Sequence, residues 1–157
     1  MISIEKRLAE LGIVLPPPGT PAGNYVPFVT VGELVFMAGQ VARAAGKMKY
    51  TGKVGVDLTI EEGQAAARLC ALNLLAQLKV ACAGDLDRVE RCVRLGGFVN
   101  SPPDFLDHPK VINGASDFMV EVFGENGQHA RTAVGVAALP MDSAVEVEAV
   151  FLLRRPS

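Results

Sequence analysis

Two neighbouring runs of apolar residues near the start of the main body predict a β-hairpin. Residues 25–31 and 34–41 are rich in valine, phenylalanine and tyrosine, and Gly32 and Glu33 separate them. β-Branched and aromatic residues favour strands, and a two-residue connection with glycine favours a tight turn. Gly39 lies inside the second run, where a glycine indicates a bulge or the close approach of another group.

Two longer segments carry the signals of α-helices. Thr59 and Glu62 form a capping box, and an alanine- and leucine-rich stretch follows as far as Gly84. A second helix is predicted over residues 109–123, with Gly124 near its C-terminal end. The apolar positions of the first helix that repeat with helical spacing, and that we expect to pack on a sheet, are Ala65, Leu69, Leu72, Ala76 and Val80.

The remaining apolar runs complete a mixed architecture. Residues 89–99 predict a strand, and residues 131–139 and 144–154 predict a closing hairpin with a short turn. Residues 42–58 are a loop with several glycines, in which residues 54–56 could form a short strand. The order β-β-α-β-α-β-β predicts an α+β fold, with a mixed sheet and two helices on one of its faces.

The first residues predict an arm on the main body. Ser3 can cap a short helix, and the proline-rich stretch at 16–18 then forces an extended connection. The segment is too short to hold a core of its own. We therefore expect an N-terminal arm, residues 1–23, on a single domain, residues 24–157.

The last strand predicts a second surface that needs a partner. Side chains alternate between the two faces of a strand. One face carries Val145, Val147, Ala149 and Phe151, and the other carries Glu146, Glu148, Val150 and Leu152. Because both faces contain apolar residues, we expect one to meet the helices and the other to meet another subunit of a closed homo-oligomer.

Composition and charge exclude several classes of function. The 157 residues have a net charge of −2, so we expect no nucleic-acid binding through phosphate neutralisation, and no apolar run predicts a membrane span or a signal peptide. Cys70, Cys82 and Cys92 lack the spacing of a metal site and are interpreted as reduced core thiols of a cytoplasmic protein. Without a cluster of ligands or a phosphate-binding glycine loop, we expect no metal and no cofactor.

One cation and one carboxylate are the candidates for chemistry. We expect the closing hairpin to bring Arg131 and Glu146 to one small cavity. The planar arginine fork binds a carboxylate through two hydrogen bonds, and a glutamate can hold and activate a water. The pair therefore predicts a site for a small organic acid and a water. The alternative is a structural ion pair of Arg131 with Glu146 or Glu148.

Three motifs, found in a fixed order, carry a resemblance to a known family. The longest consists of Arg131-Thr132-Ala133-Val134, Leu139-Pro140 and Val145-Glu146-Val147-Glu148-Ala149. The others are Tyr25 with Gly32-Glu33-Leu34-Val35-Phe36 and Gly39-Gln40, and Thr51-Gly52 with Asp57-Leu58. Over residues 24–154 the chain resembles the RidA family, also called YjgF or L-PSP proteins, as a longer side-branch with an N-terminal extension.

The resemblance implies both a fold and a reaction. The fold is like that of chorismate mutase, assembled as a homotrimer with ligand clefts between subunits. The reaction is the hydrolysis of reactive 2-imino and 2-enamino acids to 2-oxo acids and ammonia, by a hydrolase that acts on C–N bonds. The implied partner is therefore a small metabolite that bears a carboxylate.

The resemblance also implies roles for individual residues. Arg131 would bind the substrate carboxylate, Glu146 would position the attacking water, and Tyr25 would line the cleft. Gly39 belongs to the substrate-binding positions as a backbone device. Asn113 of the second long helix is the remaining substrate-binding candidate, and Ser116 would fit another placement of the gap before Arg131.

Two alternative functions remain open at this point. The cleft could bind a small carboxylate without turnover, or the protein could be an endoribonuclease, an activity that one of the family names implies. The acidity of the chain and its lack of a histidine–lysine catalytic set argue against RNA as the main substrate.

Overall fold

A computed structural model describes residues 3–156 of the chain. The three α-helices are α1 (Ile4–Glu10), α2 (Ile60–Ala81) and α3 (His108–Phe123). The seven strands of this described part are β1 (Phe28–Val31), β2 (Leu34–Val41), β3 (Arg43–Ala44), β4 (Lys47–Met48), β5 (Val89–Asn100), β6 (Ala130–Val136) and β7 (Val145–Leu153). Residues 1, 2 and 157, which the predicted arm and domain include, lie outside the described residues.

Five strands form one mixed sheet in the order β1-β2-β7-β5-β6. Strands β5 and β6 pair in parallel, and the other neighbours pair antiparallel. A parallel pair needs a crossover between its strands, and α3 supplies it between β5 and β6. The long helices α2 and α3 cover one face of the sheet, so the predicted α+β architecture with a mixed sheet is confirmed.

The predicted closing hairpin is wrong, because β6 and β7 are not neighbours. Strand β7 lies between β2 and β5, and β6 lies beyond β5 at the edge. The connection holds a short 3-10 turn at Pro140–Asp142, in which Met141 and Asp142 have φ angles of 56° and 57°. This left-handed turn carries the chain past β5 instead of folding β7 back onto β6.

Local signals located the helices well but not the buried side of α2. Thr59 caps α2 with both bonds of a capping box, and Gly124 follows α3 with a φ angle of 62°. The predicted stripe on α2 is out of phase, since Val80 is exposed and the other predicted positions except Ala76 are half-buried. The fully buried apolar positions are Ala66, Ala67, Cys70, Ala71, Leu74, Leu75 and Leu78. Alanine and leucine occur on all sides of this helix, so the spacing of its apolar residues does not define which side is buried.

The loop before α2 also differs from the expectation. No strand forms at residues 54–56, where only an isolated bridge joins Val54 to Leu58. The short pair β3 and β4 forms earlier instead, around Ala45 and Gly46 in left-handed conformations. Such conformations suit a tight hairpin, which the glycine alone did not identify.

The N-terminal arm lies on the side of the helical layer. Ser3 caps α1 as predicted, and the carboxylate of Glu5 lies 2.8 Å from the ammonium of Lys79 on α2. Further along the arm, the amide of Gln77 donates to the carbonyl of Gly19 at 2.8 Å. These contacts join the arm to α2 at two separate points.

Gly114 allows α3 to cross close to α2. A Cβ atom at this position would lie 2.1 Å from the carbonyl oxygen of Gln64, which belongs to the backbone and cannot rotate away. We expect Gly114→Ala to lower the free energy of unfolding by about 1–3 kcal/mol through overpacking. Chemical denaturation measures the loss.

Gly19→Ala is the control for this prediction, because a Cβ at Gly19 would meet no atom within 4 Å. A Gly114→Ala protein that is as stable as Gly19→Ala would contradict the close helix crossing.

Candidate functional site

Arg131 lies on edge strand β6 and is held from helix α3. Its Nη1 donates to Oδ1 of Asn113 at 2.8 Å and to Oγ of Ser116 at 3.2 Å. Both residues that the sequence offered for the helical position therefore contact the same guanidinium. Within residues 3–156, no group accepts a hydrogen bond from Nε or Nη2 of Arg131, so this side of the fork has no protein partner.

The contacts of Arg131 continue into the loop before β6. Oγ of Ser116 lies 2.9 Å from Nε2 of His129, and Nδ1 of His129 lies 2.6 Å from the carbonyl oxygen of Gly127. His129 therefore belongs to the surroundings of Arg131, two residues away along the chain. Sequence reasoning gave no role to Ser116 and His129 together, because only the fold brings the loop against α3.

Glu146 occupies a half-buried position on central strand β7. Its side chain lies against Gly39, where a Cβ would come within 3.0 Å of Cδ of Glu146. Gly39 falls in a break of the β2–β7 register between Met37 and Gln40, so the predicted bulge is confirmed. The absence of a side chain at Gly39 makes the space that Glu146 fills.

The carboxylate of Glu146 is electrostatically unusual. Burial raises the pKa of Glu146 above its ordinary value, and the nearby negative charge of Glu148 raises that pKa further. Glu148 itself lies 3.6 Å from the guanidinium of Arg94. Within residues 3–156, Glu146 has neither an ion-pair partner nor a hydrogen-bond donor.

Arg131 and Glu146 of one chain lie on opposite faces of the sheet. Gly97 of β5 faces α3, because a Cβ there would meet Ile112, and its neighbour Phe98 therefore faces the other way. Phe98 is paired with Glu146, which places Glu146 on the face without helices. Arg131 reaches α3 and so lies on the helical face. The expectation that one hairpin brings the pair together is therefore wrong within a single chain.

Tyr25 lies near the glycine that Glu146 contacts. It precedes β1, is 53% exposed, and lines a cavity of about 560 Å³. The other lining residues are Asn24, Val26, Phe28, Val29, Phe36, Met37 and Ala38. Since Ala38 adjoins Gly39, the cavity borders the position of Glu146 and not that of Arg131.

The sheet face that carries Glu146 bears exposed apolar side chains, and no helix of the described chain covers it. The exposed apolar residues on it are Val29, Val31, Phe36 and Val134. Several exposed apolar residues on one sheet face are typical of an interface with another protein chain.

The described residues contain no built metal centre. Within residues 3–156, no group of three or more His, Cys, Asp or Glu side chains could hold a metal ion. The three cysteines are free and buried. Burial raises the thiol pKa of Cys82 to about 11 and that of Cys92 to about 12, so neither is a ready nucleophile. Across this part of the chain, no helix has the length and apolar character needed to cross a membrane.

Comparison with known proteins identifies the family. A family model described as "YjgF/chorismate mutase-like, putative endoribonuclease" matches residues 5–153, which is nearly the whole chain. The protein belongs to the YjgF family. The predicted family and the chorismate-mutase-like fold are thus confirmed.

Similar proteins come from distant organisms. Protein TCP17 of Trypanosoma cruzi is 49% identical over 151 residues, which cover 96% of this chain and 94% of that protein. The structure of Atu1372 from Agrobacterium tumefaciens, a protein of unknown function, is 46% identical with a TM-score of 0.90, covering 96% of this chain and 92% of that one. A structure from Shewanella oneidensis, named a "putative endoribonuclease", is 39% identical with a TM-score of 0.93, covering 97% and 100%.

The effect of the Glu148 charge on the pKa of Glu146 can be measured. We expect Glu148→Gln to lower the pKa of Glu146, because it removes the like charge that disfavours ionisation. A function that needs ionised Glu146 rises with pH through this pKa, so its acidic limb should move to lower pH. Carboxyl ¹³C chemical shifts followed through a pH titration measure the change.

Glu121→Gln is the matched control, because Glu121 is on α3, pairs with Arg68 and lies away from the open face. An equal effect of the two substitutions on Glu146 would contradict a local interaction with Glu148.

Proposed function

We propose that the protein hydrolyses reactive 2-imino and 2-enamino acids to 2-oxo acids and ammonia. The observation that carries this proposal is Arg131, whose Nη1 is occupied by α3 while Nε and Nη2 carry no bond from the described chain. Nε–H and Nη2–H lie parallel and bind a carboxylate side-on. Such a contact fixes the carboxylate of an imino acid and orients the adjacent C2 atom.

Glu146 supplies the second part of the reaction. Water adds its oxygen to C2 of the imine, while the Glu146 carboxylate takes a proton from that water. Glu146 returns that proton to the imine nitrogen, which gives the carbinolamine. The proton of the C2 hydroxyl then passes to the amino nitrogen, the C2–N bond breaks to release ammonia, and the C2 oxygen becomes the 2-oxo group. A 2-enamino acid enters the same route after one proton moves from its nitrogen to C3. The raised pKa of Glu146 suits a group that takes and returns a proton, and its lack of a partner leaves it for the water.

The reaction needs two chains in this proposal. Because Arg131 and Glu146 lie on opposite faces of one sheet, one chain offers Arg131 with Asn113 and another offers Glu146 with Gly39 and Tyr25. We propose a homotrimer with three such clefts, as the family resemblance implies. The exposed apolar sheet face supports burial between subunits, since a closed ring would cover it.

The other proposed residues assist at the same cleft. Asn113 accepts from Arg131 through Oδ1, which leaves its amide N–H groups for the substrate. Tyr25 lines the apolar cavity beside Gly39 and would face the substrate side chain. The free, buried cysteines support a reducing compartment such as the cytoplasm as the place of action.

Two alternative functions can be distinguished from imine hydrolysis by the same variants. The family model and the Shewanella relative carry the word endoribonuclease, which makes RNA cleavage the second candidate. RNA cleavage that Arg131→Ala abolishes, without any imine hydrolysis, would favour it. Binding of 2-oxo acids without turnover would favour a binding protein.

A coupled assay tests the reaction. Threonine dehydratase generates the reactive imine, and 2-oxobutyrate formation is followed with wild type, Arg131→Ala and Glu146→Gln. We expect wild type to accelerate the hydrolysis and Glu146→Gln to lose about 10²–10⁴-fold of that acceleration, the usual value of a general base. Arg131→Ala should lose most of it through weaker substrate binding.

Ser101→Ala controls for unrelated loss of a polar group, since its hydroxyl donates only to the carbonyl of Val99. Glu146→Gln should remain folded, because it removes a carboxylate whose ionised form burial disfavours. A wild-type protein that leaves the rate unchanged at micromolar concentration would refute the deaminase proposal.

Mixing two inactive variants tests whether the cleft is shared. Arg131→Ala and Glu146→Gln chains are unfolded and refolded together in equal amounts. If the two residues act from neighbouring chains, every mixed trimer regains one intact cleft, and about one quarter of wild-type activity should return. Each variant refolded alone is the control. Activity that stays absent in mixed trimers, verified by mass spectrometry of the intact assembly, would contradict the shared cleft.

A further inference from the structure

Three side chains form a chain of hydrogen bonds behind the guanidinium of Arg131. Nη1 donates to Asn113 and to Ser116, Ser116 is bonded to Nε2 of His129, and Nδ1 of His129 is bonded to the carbonyl of Gly127. The chain links β6, α3 and the loop before β6. It contacts the side of the guanidinium that the proposed substrate does not use.

The two ends of this chain fix the direction of its outer hydrogen bonds. A carbonyl oxygen only accepts, so Nδ1 of His129 carries a proton and donates to Gly127. Arginine only donates, so Oγ of Ser116 accepts from Nη1. Nε2 of a neutral His129 then accepts, and the hydroxyl of Ser116 donates to it. Each group in the chain has the partner that it needs.

The carbonyl of Gly127 therefore requires the tautomer of His129 that carries a proton on Nδ1. In that tautomer Nε2 can accept from the hydroxyl of Ser116, which itself accepts from Arg131.

We propose that Ser116 and His129 are positioning residues that hold Nη1 of Arg131, so that the Nε–Nη2 edge is presented to the substrate carboxylate. This inference rests on the proposed function, because it concerns the same Arg131 clamp. Nη1 has two protons and donates to both Asn113 and Ser116. Rotation of the guanidinium to bind a ligand through Nη1 would break these bonds, so the chain selects a side-on mode of binding.

Binding of 2-oxobutyrate, the product of the coupled assay, tests the inference by calorimetry. Ser116→Ala and His129→Phe should raise the Kd by about two- to tenfold each, which corresponds to the net contribution of one hydrogen bond. The double variant should have about the same Kd as the single variant with the higher Kd, because the two residues act through one chain of hydrogen bonds. Ser116→Thr keeps the hydroxyl and should restore binding.

His108→Phe is the matched control for the histidine. His108 lies at the start of α3 against Phe105, and no hydrogen bond of the described chain joins it to Arg131. The rate measurements should show a higher KM with a smaller change in kcat, since the altered interaction orients the substrate and does not move protons.

The tautomer of His129 gives a readout that does not depend on activity. Long-range ¹H–¹⁵N correlation spectra should show a proton on Nδ1 of His129, and the shift of Nε2 should change in Ser116→Ala because it loses its serine partner. A bare Nδ1, with the ring proton on Nε2 alone, or an Nε2 shift that is the same in Ser116→Ala, would overturn the inference.

The binding data separate the two proposals. An unchanged Kd in Arg131→Ala would overturn the proposed clamp and this inference with it. A raised Kd in Arg131→Ala, together with an unchanged Kd in Ser116→Ala and His129→Phe, would overturn this inference alone.

Discussion

The alternation of side chains along β7 is the constraint on which the rest of the molecule depends. As the central strand of the sheet, β7 must serve the helical core with one set of residues and the open face with the other. Val145, Val147 and Phe151 are fully buried under the helices. The intervening glutamates therefore cannot enter the core, and they lie on the open face together with Arg94 and exposed apolar side chains.

Glu146 lies on this surface at an energetic cost. An ionised carboxylate that is half-buried and next to Glu148 is less stable than one in water, and its raised pKa expresses that cost. Arg94 forms an ion pair with Glu148 but makes no bond to Glu146. A carboxylate held here without a partner is what a water-handling group requires.

The sequence predicted the features that depend on short stretches of chain. The capping box at Thr59, the glycine that ends α3 and the bulge at Gly39 each arise from backbone chemistry within a few residues, and all three are present. The position of β7 was missed, because strand order depends on long-range pairing and the short turn before β7 resembled a hairpin turn. The same limit applies to the candidate site. Arg131 and Asn113 are separated in the chain, and only the crossover of α3 brings them together.

The placement of polar groups on two faces has a consequence for how activity relates to assembly. A chain whose cation and carboxylate shared one face could form its site alone, and assembly would then add only stability. Here the guanidinium is oriented by α3 on one side of the sheet, while the carboxylate lies in the space that Gly39 leaves on the other. Each half is organised within its own chain, so neither needs to be induced by the other. In the proposed cleft, bringing two such preorganised halves together fixes the position of the bound organic acid relative to the water, without the entropic cost of ordering flexible side chains. In the proposed trimer, the apolar open face would therefore supply the energy of association, and the polar groups would supply the chemistry.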